Sequence, residues 1–137
     1  TLDEFIAAPD EGGYAAVALQ FIRAQHGGKP CRMVLSVPNE GSIAGLNDDD
    51  VVEITCEIDR DGAHPARIGQ IGAFQLAQIQ RIKSFERGTI RAILGRDRDE
   101  AARALYLHPL VNDLRLAEEL AEVFFRQYAE YLNESME

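Results

Sequence analysis

The chain has 137 residues, of which 46% are apolar and 27% are charged, and this composition excludes disordered, collagen-like and low-complexity proteins. Its 14 Lys and Arg are outnumbered by 23 Asp and Glu, for a net charge of -9. Because nucleic acids and anionic membranes bind clustered basic residues, we expect neither as a partner. A small molecule or another protein is the expected partner, and one domain with one hydrophobic core is expected at this length.

The first half of the chain predicts one helix followed by three strands. Apolar residues between positions 14 and 26 recur with a helical period, and the run ends at His26-Gly27-Gly28. A turn at residues 38–41 separates the first two strands, and Asp59-Arg60-Asp61-Gly62 is a hairpin signal between the second and third. The strands are predicted at Cys31–Val37, Val51–Ile58 and Ala63–Gly69.

The second half of the chain predicts three helices. The first starts at Ala73 and passes through Gly88, where a kink is expected, to Leu94. The second is capped by Asp97 or Asp99 and ends at His108-Pro109. The last is predicted from about Asp113 to Leu132. It has one apolar stripe, which consists of Leu116, Leu120, Phe124, Tyr128 and Tyr131.

These elements predict an α+β fold with a small, mainly antiparallel sheet that is covered by helices on one face. In a chain that is 46% apolar, we expect the other face of the sheet to be apolar as well and to need a cover. If another part of a longer protein normally covers it, the isolated chain should form a closed dimer through this face.

The chain by itself shows no complete active site. His26, His64 and His108 lie in three different elements without the spacing of a metal site, and His64 is read as a hairpin residue. No serine or cysteine lies in the pattern of a nucleophile, and no glycine run has the form of a dinucleotide or phosphate loop. The acidic run at residues 47–50 is interpreted as a solvated turn and not as a calcium loop.

The two cysteines, Cys31 and Cys56, lie 25 positions apart and form no C-x-x-C pair, which is typical of a reduced, cytoplasmic protein. Cys56 is expected to be a buried core thiol. No apolar run has the roughly 18 residues that a membrane span needs, and the first residues lack the pattern of a signal peptide. These observations predict a cytoplasmic protein.

Four segments read together carry a resemblance to a known family. They are Gly13-Tyr14-Ala15-Ala16-Val17-Ala18-Leu19, Val37-Pro38-Asn39-Glu40-Gly41-Ser42-Ile43 followed by Val51-Val52-Glu53-Ile54, His64-Pro65-Ala66, and His108-Pro109-Leu110-Val111. In this order and spacing, they resemble the C-terminal part of glycoside hydrolase family 4 from about residue 9 to the end of the chain.

The resemblance implies the fold of the C-terminal domain of the lactate/malate dehydrogenase and family 4 glycosidase superfamily. Family members carry a Rossmann domain before the part that is matched here. The resemblance therefore implies that residues 1–137 form a single substrate-binding and oligomerisation domain, separated from its own N-terminal half. NAD and a divalent metal, manganese, would serve the full-length parent, and neither is expected in this chain. Dimers or tetramers are implied as well.

The chemistry implied by the resemblance departs from hydrolysis by two carboxylates. NAD oxidises the 3-hydroxyl of the sugar, a tyrosine removes the acidified proton at carbon 2, the aglycone is eliminated, water adds, and the hydride returns. The implied substrate is a phosphorylated disaccharide or glycoside, and the parent is most simply a 6-phospho-β-glucosidase. As an isolated chain it should be inactive. The alternative function is a stand-alone, non-catalytic binding or assembly module.

The resemblance also implies the site residues. Tyr14 stands where the family places its base, although Pro9-Asp10-Glu11-Gly12 precedes it where the family often has an Arg-Gly-Gly sequence. The alternative for Tyr14 is an aromatic residue that packs at the start of a helix. Asn39 and Gly41 match a turn near the substrate, or are simply residues that suit a turn. Since Glu40 would repel a phosphate, the candidate phosphate ligands are Arg32 or residues of the missing N-terminal half. No metal ligand is expected in this chain.

Overall fold

The computed structural model describes residues 13–133, which belong to two compact units, residues 1–71 and residues 72–137. We call the described parts the sheet unit and the helical unit. The sheet unit contains α1 (Gly13–Gln25), β1 (Cys31–Pro38), β2 (Val51–Asp59) and β3 (Gly62–Pro65). The helical unit contains α2 (Ala73–Gly95), α3 (Arg98–Leu107), α4 (Leu114–Gln127) and α5 (Ala129–Asn133). The predicted α+β class is confirmed, and folding as a single domain stays a prediction.

The sheet has the order β1-β2-β3, and both pairs of neighbours are antiparallel. Cys31 pairs with Ile58 and Pro38 with Val51, so that side chains at odd positions of β1 share a face with those at even positions of β2. On β2 these side chains are buried. They form a core with Ala24 of α1 and with Ile43, which lies in the loop between β1 and β2. The core residues of β2 are Val52, Ile54, Cys56 and Ile58. Cys56 is the buried thiol that the sequence predicts.

The second face of the sheet is mainly polar, so the prediction of an apolar face that needs a cover was wrong. Its exposed residues are Arg32, Val34, Ser36 and Pro38 of β1, Val51, Glu53, Thr55 and Glu57 of β2, and His64 of β3. The Arg32 guanidinium lies 3.8 Å from the Glu57 carboxylate. The strands therefore alternate apolar and polar residues with a period of two, which allows one face to meet water.

The third strand is shorter than predicted. It ends at Pro65 and not at Gly69, although the Ala66 amide still donates to the Thr55 carbonyl of β2 at 2.9 Å. The backbone then turns to a different partner, and the amides of Ile68 and Gly69 both donate to the Ser42 carbonyl at 2.9 Å. Ile68 and Gly69 therefore support the loop that follows β1.

The long helix α2 is continuous through Gly88, and this glycine serves close packing against α3. A Cβ placed on Gly88 would lie 2.9 Å from the Cβ of Ala104, closer than two such atoms pack. After α2, Arg96 adopts a left-handed conformation (φ 53°), and the Asp97 side chain accepts a hydrogen bond from the Glu100 amide at 2.9 Å to start α3. Asp97 is therefore the cap, of the two candidates in the sequence.

The predicted last helix is divided into two. Asp113 starts α4 by accepting a hydrogen bond from the Leu116 amide at 2.8 Å. The helix ends at Gln127, and α5 starts at Ala129. Tyr128 lies between them with φ -107° and ψ 22°, although its N–H still donates to the Phe124 carbonyl. The sequence contains no glycine or proline near this break, so a single helix was the natural but incorrect prediction.

The contact between Gly88 and Ala104 predicts the effect of one methyl group. In a helix interior, Gly88→Ala would gain about 1 kcal/mol from helix propensity, but the clash with Ala104 should outweigh this and lower the free energy of unfolding by about 1–3 kcal/mol. Urea unfolding would measure the change.

The matched control is Gly95→Ala in the same helix. A Cβ at this position would lie 4.0 Å from Asp97 Cβ, so this variant should be no less stable than wild type. Adding Ala104→Gly should recover stability lost by Gly88→Ala. Equal stability of the two single variants would show that α2 and α3 do not need this close approach.

Candidate functional site

The loop between β1 and β2, residues 39–50, carries two of the predicted site residues and is held by the side chain of Asn39. This side chain is fully buried. Its Nδ2 donates to the carbonyls of Ile43 (3.1 Å) and Leu46 (3.4 Å), and its Oδ1 accepts from the Ile43 amide at 2.8 Å. The carboxamide is therefore engaged by the loop backbone on both its donor and its acceptor side. The geometry gives Asn39 the role of fixing the loop.

Glu40 and Gly41 form the exposed tip of a tight turn. Both have positive φ, 42° and 75°, and the Ser42 amide donates to the Asn39 carbonyl at 2.6 Å. A two-residue turn of this kind suits Asn or Gly, whereas a left-handed Glu costs about 1 kcal/mol or more. The turn thus holds an acidic side chain and the open backbone of a glycine at a defined place.

The second half of the loop closes it against the end of the sheet. The Asn39 amide donates to the Asp50 carbonyl at 2.8 Å, and the Glu40 amide donates to the Asp48 carbonyl at 3.0 Å. Asp50 is buried, and its carboxylate accepts a hydrogen bond from the Asn47 amide at 2.9 Å. The acidic run is therefore a turn in which residues 47–49 are exposed, as predicted, whereas Asp50 is buried and not solvated. Within residues 13–133, no three His, Cys, Asp or Glu side chains are grouped so that they could hold a metal ion.

Tyr14 lies in the first turn of α1, directly after Gly13, which has φ 72°. The residue is 98% exposed, so its ring does not pack against the described chain as the alternative interpretation requires. Backbone N–H groups at the start of a helix favour negative charge nearby. The phenol of Tyr14 is therefore exposed at the start of α1. Pro9 to Gly12, which the sequence analysis compares with the family pattern, lie outside the described residues.

Arg32 is not close to the Glu40-Gly41 turn. It lies near the start of β1, with 78% of its side chain exposed, and its nearest acidic partner is Glu57. Asn39 follows the end of the same strand seven positions later, and at about 3.3 Å per residue this places it on the order of 23 Å away. The structure therefore does not bring Arg32 together with Asn39 and Gly41.

The hairpin between β2 and β3 contains an ion pair that the sequence analysis did not identify. His64 Nε2 lies 2.9 Å from Asp59 Oδ1, and the same oxygen accepts from the Asp61 amide at 2.8 Å. The hydrogen bond to Asp59 raises the pKa of His64. The hydrogen bonds from His64 and from the Asp61 amide lower the pKa of Asp59. In the sequence, Asp59 comes before the Asp61-Gly62 turn and His64 comes after it, and this spacing indicates that the two side chains can meet across the hairpin.

Replacement of Asn39 tests whether its side chain holds the loop. Asn39→Asp keeps the shape but loses both donors and places a carboxylate against the carbonyls of Ile43 and Leu46. Because these groups are buried, we expect the free energy of unfolding to fall by about 2–4 kcal/mol in urea titrations at neutral pH. The control is Glu40→Asn, which puts a residue that tolerates positive φ at the exposed tip and should change stability by less than about 1 kcal/mol. If Asn39→Asp unfolds like wild type, another group holds the loop.

The hairpin pair predicts a pH dependence with a definite sign. The contribution of His64 is complete below its unfolded pKa and is lost as the pH rises through its raised folded pKa. Asp59 contributes above its unfolded pKa, and its contribution is lost as the pH falls through its lowered folded pKa. An NMR titration should give His64 a pKa above the ordinary histidine value, and Asp59→Asn should bring it back towards that value. An unchanged His64 pKa in Asp59→Asn would contradict the pair.

The fold and loop have counterparts in known proteins. The family model described as "Family 4 glycosyl hydrolase C-terminal domain" matches residues 3–111. A 6-phospho-beta-glucosidase, BglT, of Thermotoga maritima is 34% identical over 119 residues, which are 87% of this chain and 29% of that protein. The chain thus spans less than a third of the length of this relative.

Two solved structures show the same architecture. The 6-phospho-beta-glucosidase from Thermotoga maritima with manganese, NAD+ and glucose-6-phosphate matches with a TM-score of 0.75 and 33% identity, over 90% of this chain and 31% of that one. A 6-phospho-alpha-glucosidase from gut microorganisms in complex with NAD and Mn2+ matches with a TM-score of 0.80 and 27% identity, over 89% and 28%. Among residues 13–133, no helix is both long enough and apolar enough to cross a bilayer.

The family match over residues 3–111 and the relative with 34% identity show that the chain belongs to the family 4 glycosyl hydrolases, of which it carries the C-terminal domain.

Proposed function

We propose that this chain is the substrate-facing domain of a 6-phospho-glucosidase, most simply a 6-phospho-β-glucosidase, that works with NAD and manganese. The proposal is supported by a family match over residues 3–111 and by relatives that are named 6-phospho-glucosidases. Relatives with both α and β specificity are similar to the chain, so the β specificity rests on the higher identity of the Thermotoga maritima enzyme.

The observation that carries the proposal is the exposure of Tyr14. A tyrosine that served only to pack the start of α1 would bury its ring, whereas Tyr14 is 98% exposed at the N-terminal end of a helix. In the proposed reaction its oxygen removes the proton from carbon 2 of the oxidised sugar.

The Glu40-Gly41 turn is the second part of the proposed site. Gly41 has no side chain and offers an exposed backbone to a ligand, and Asn39 acts as a positioning residue through its hydrogen bonds to Ile43 and Leu46. The carboxylate of Glu40 suits sugar hydroxyls better than a phosphate. Arg32 remains the proposed phosphate ligand. It lies on the order of 23 Å from Asn39, farther than a phosphorylated disaccharide extends, so it would not contact the same substrate molecule as the Glu40-Gly41 turn.

The residues described here do not supply a site for the metal, since no group of three ligands lies within residues 13–133. No glycine run of the chain has the form of a dinucleotide loop. We therefore assign the binding of NAD and manganese to the part of the relatives that this chain does not cover. A preceding N-terminal half, a homo-oligomeric enzyme and a cytoplasmic location complete the proposal, and Cys31 and Cys56 are free thiols, which fits that location.

Replacing the base tests the role of Tyr14. In the protein that joins this chain to its N-terminal half, Tyr14→Phe should fold and bind NAD as wild type does, since only an exposed oxygen is removed. Exchange of the carbon-2 proton of the substrate with solvent deuterium should fall by about 10²–10⁴-fold, the range for a lost general base. NMR would follow the exchange. The control is Tyr106→Phe, at another exposed tyrosine, which should keep full exchange. Normal exchange in Tyr14→Phe would overturn the assignment.

The isolated 137-residue chain separates this proposal from a stand-alone module. Because the chain offers neither a metal group among its described residues nor a dinucleotide loop, it should not bind NAD in calorimetry. It should also not cleave 4-nitrophenyl 6-phospho-β-glucoside with manganese and a reductant. Turnover by the pure chain would contradict the proposal that NAD and manganese bind to the N-terminal half. Tight binding of a sugar phosphate without any need for the N-terminal half would favour the stand-alone binding module.

A further inference from the structure

The tip of the β2–β3 hairpin carries the only Asp-Gly pair of the sequence, and the sequence contains no Asn-Gly pair. Asp61 is the last residue of the turn and is exposed, and Gly62 begins β3. Apart from its chain neighbours, no heavy atom of the described residues would lie within 4 Å of a Cβ on Gly62. The junction of these two residues is therefore uncrowded and open to water.

An aspartate that is followed by glycine can react with its own backbone. The Gly62 nitrogen adds to Cγ of Asp61, an N–Cγ bond forms, and a carboxyl oxygen leaves as water with the amide proton and the carboxyl proton, which gives a cyclic imide. Water then opens the imide at one of its two carbonyls. Opening at Cγ restores aspartate, whereas opening at the α-carbonyl leaves the main chain running through Cβ and Cγ as isoaspartate. Glycine favours the ring closure because it has no side chain to hinder it.

The carboxylate of Asp59 holds this turn closed. Its Oδ1 lies 2.9 Å from His64 Nε2 and accepts a hydrogen bond from the Asp61 amide at 2.8 Å. The pKa of Asp59 is lowered by these hydrogen bonds and, more weakly, by one from the Gly62 amide. Ring closure requires the Gly62 nitrogen to lose its proton and to turn towards Cγ of Asp61. The hydrogen bonds to Asp59 must therefore open before the imide can form.

The ion pair that anchors this carboxylate lies at the surface. The side chain of His64 is 52% exposed and that of Asp59 is 34% exposed. Exposed ion pairs contribute little to stability, and a short hairpin end of this kind opens more often than the core of a sheet. The pair between Asp59 and His64 should thus slow the reaction without preventing it.

Isoaspartate at position 61 would make the main chain one carbon longer at a place where the strand register is set. Asp59 pairs with Gly62 at the start of the β2–β3 ladder, and the extra carbon lies directly beside this pair. The same strand leads to Ile68 and Gly69, whose amides both donate to the Ser42 carbonyl. A change at the hairpin tip would therefore reach the loop between β1 and β2 along continuous backbone.

We propose that Asp61 is a modification site of this chain, at which aspartate converts to isoaspartate through a cyclic imide with Gly62, and that the pair between Asp59 and His64 sets the rate. The reaction consumes only water and needs no oxidant or reductant. The proposal does not depend on the proposed function, because neither Tyr14 nor the Glu40-Gly41 turn takes part in it.

Incubation of the 137-residue chain at neutral pH in water enriched in ¹⁸O tests the site. Each opening of the imide adds one oxygen atom from water to residue 61, so mass spectrometry of the digested chain should find both the label and isoaspartate in the peptide that contains Asp61. Asp61→Ala should lose both signals, and the chain unfolded in urea shows that the assay detects the reaction. Label at residue 61 in urea but not in the folded chain would overturn the proposal, as would isoaspartate formed mainly at another aspartate.

Replacement of His64 tests the control of the rate. His64→Ala should keep the circular dichroism of wild type and incorporate label at Asp61 about 2–5-fold faster, the range for loss of an exposed ion pair. His64→Gln, which can still donate a hydrogen bond to Asp59, should lie closer to wild type. The matched control is His26→Ala, at an exposed histidine after α1, which should react at the wild-type rate. An equal or slower rate in His64→Ala would contradict the proposed control by the pair.

Discussion

The hydrogen bonds of the Asn39 side chain are the constraint on which the candidate site depends. A loop of twelve residues joins β1 to β2, and a chain of that length has no regular structure of its own to hold its shape. A buried carboxamide that binds the backbone at Ile43 and Leu46 provides that shape from within. Ile43 is thereby placed in the core of the sheet unit, and the Glu40-Gly41 turn is fixed at the surface. The precision of the site and the stability of the core thus rely on the same side chain.

The sheet unit shows which features a sequence can reveal. The positions of β1 and β2, the hairpin after Asp59 and the buried Cys56 follow from alternation and turn residues, which are local signals. The polar outer face was also present in the sequence, in the alternation of Glu53, Thr55 and Glu57 with apolar neighbours. The overall apolar fraction of the chain, 46%, does not show how apolar residues are divided between the two faces of the sheet. The early end of β3 depends on where Ile68 and Gly69 find hydrogen-bond partners, and Ser42 lies too far away in sequence for local patterns to show this.

The helical unit shows which features local sequence patterns cannot reveal. Helical periods located α2, α3 and most of α4 correctly, and Asp97 and Asp113 mark the starts of helices by ordinary capping. Yet Gly88, which the sequence suggested as a kink, fits a close contact with Ala104. A glycine in a helix costs the same propensity in both cases, and only the neighbouring helix distinguishes them. The break at Tyr128 likewise has no glycine, proline or capping residue to announce it.

The candidate site residues differ in how much each could be foreseen. The family resemblance identified Tyr14, Asn39 and Gly41, but the residue type alone did not distinguish a ligand contact from support. Burial makes that distinction: Asn39 is enclosed and fully used by the backbone, whereas Tyr14 and Gly41 face outwards. The long separation of Arg32 from the turn follows directly from strand geometry once both are placed at opposite ends of β1. A division therefore emerges in which the rigid backbone of the sheet unit presents a few exposed groups, while the described helical unit holds none of the candidate site residues.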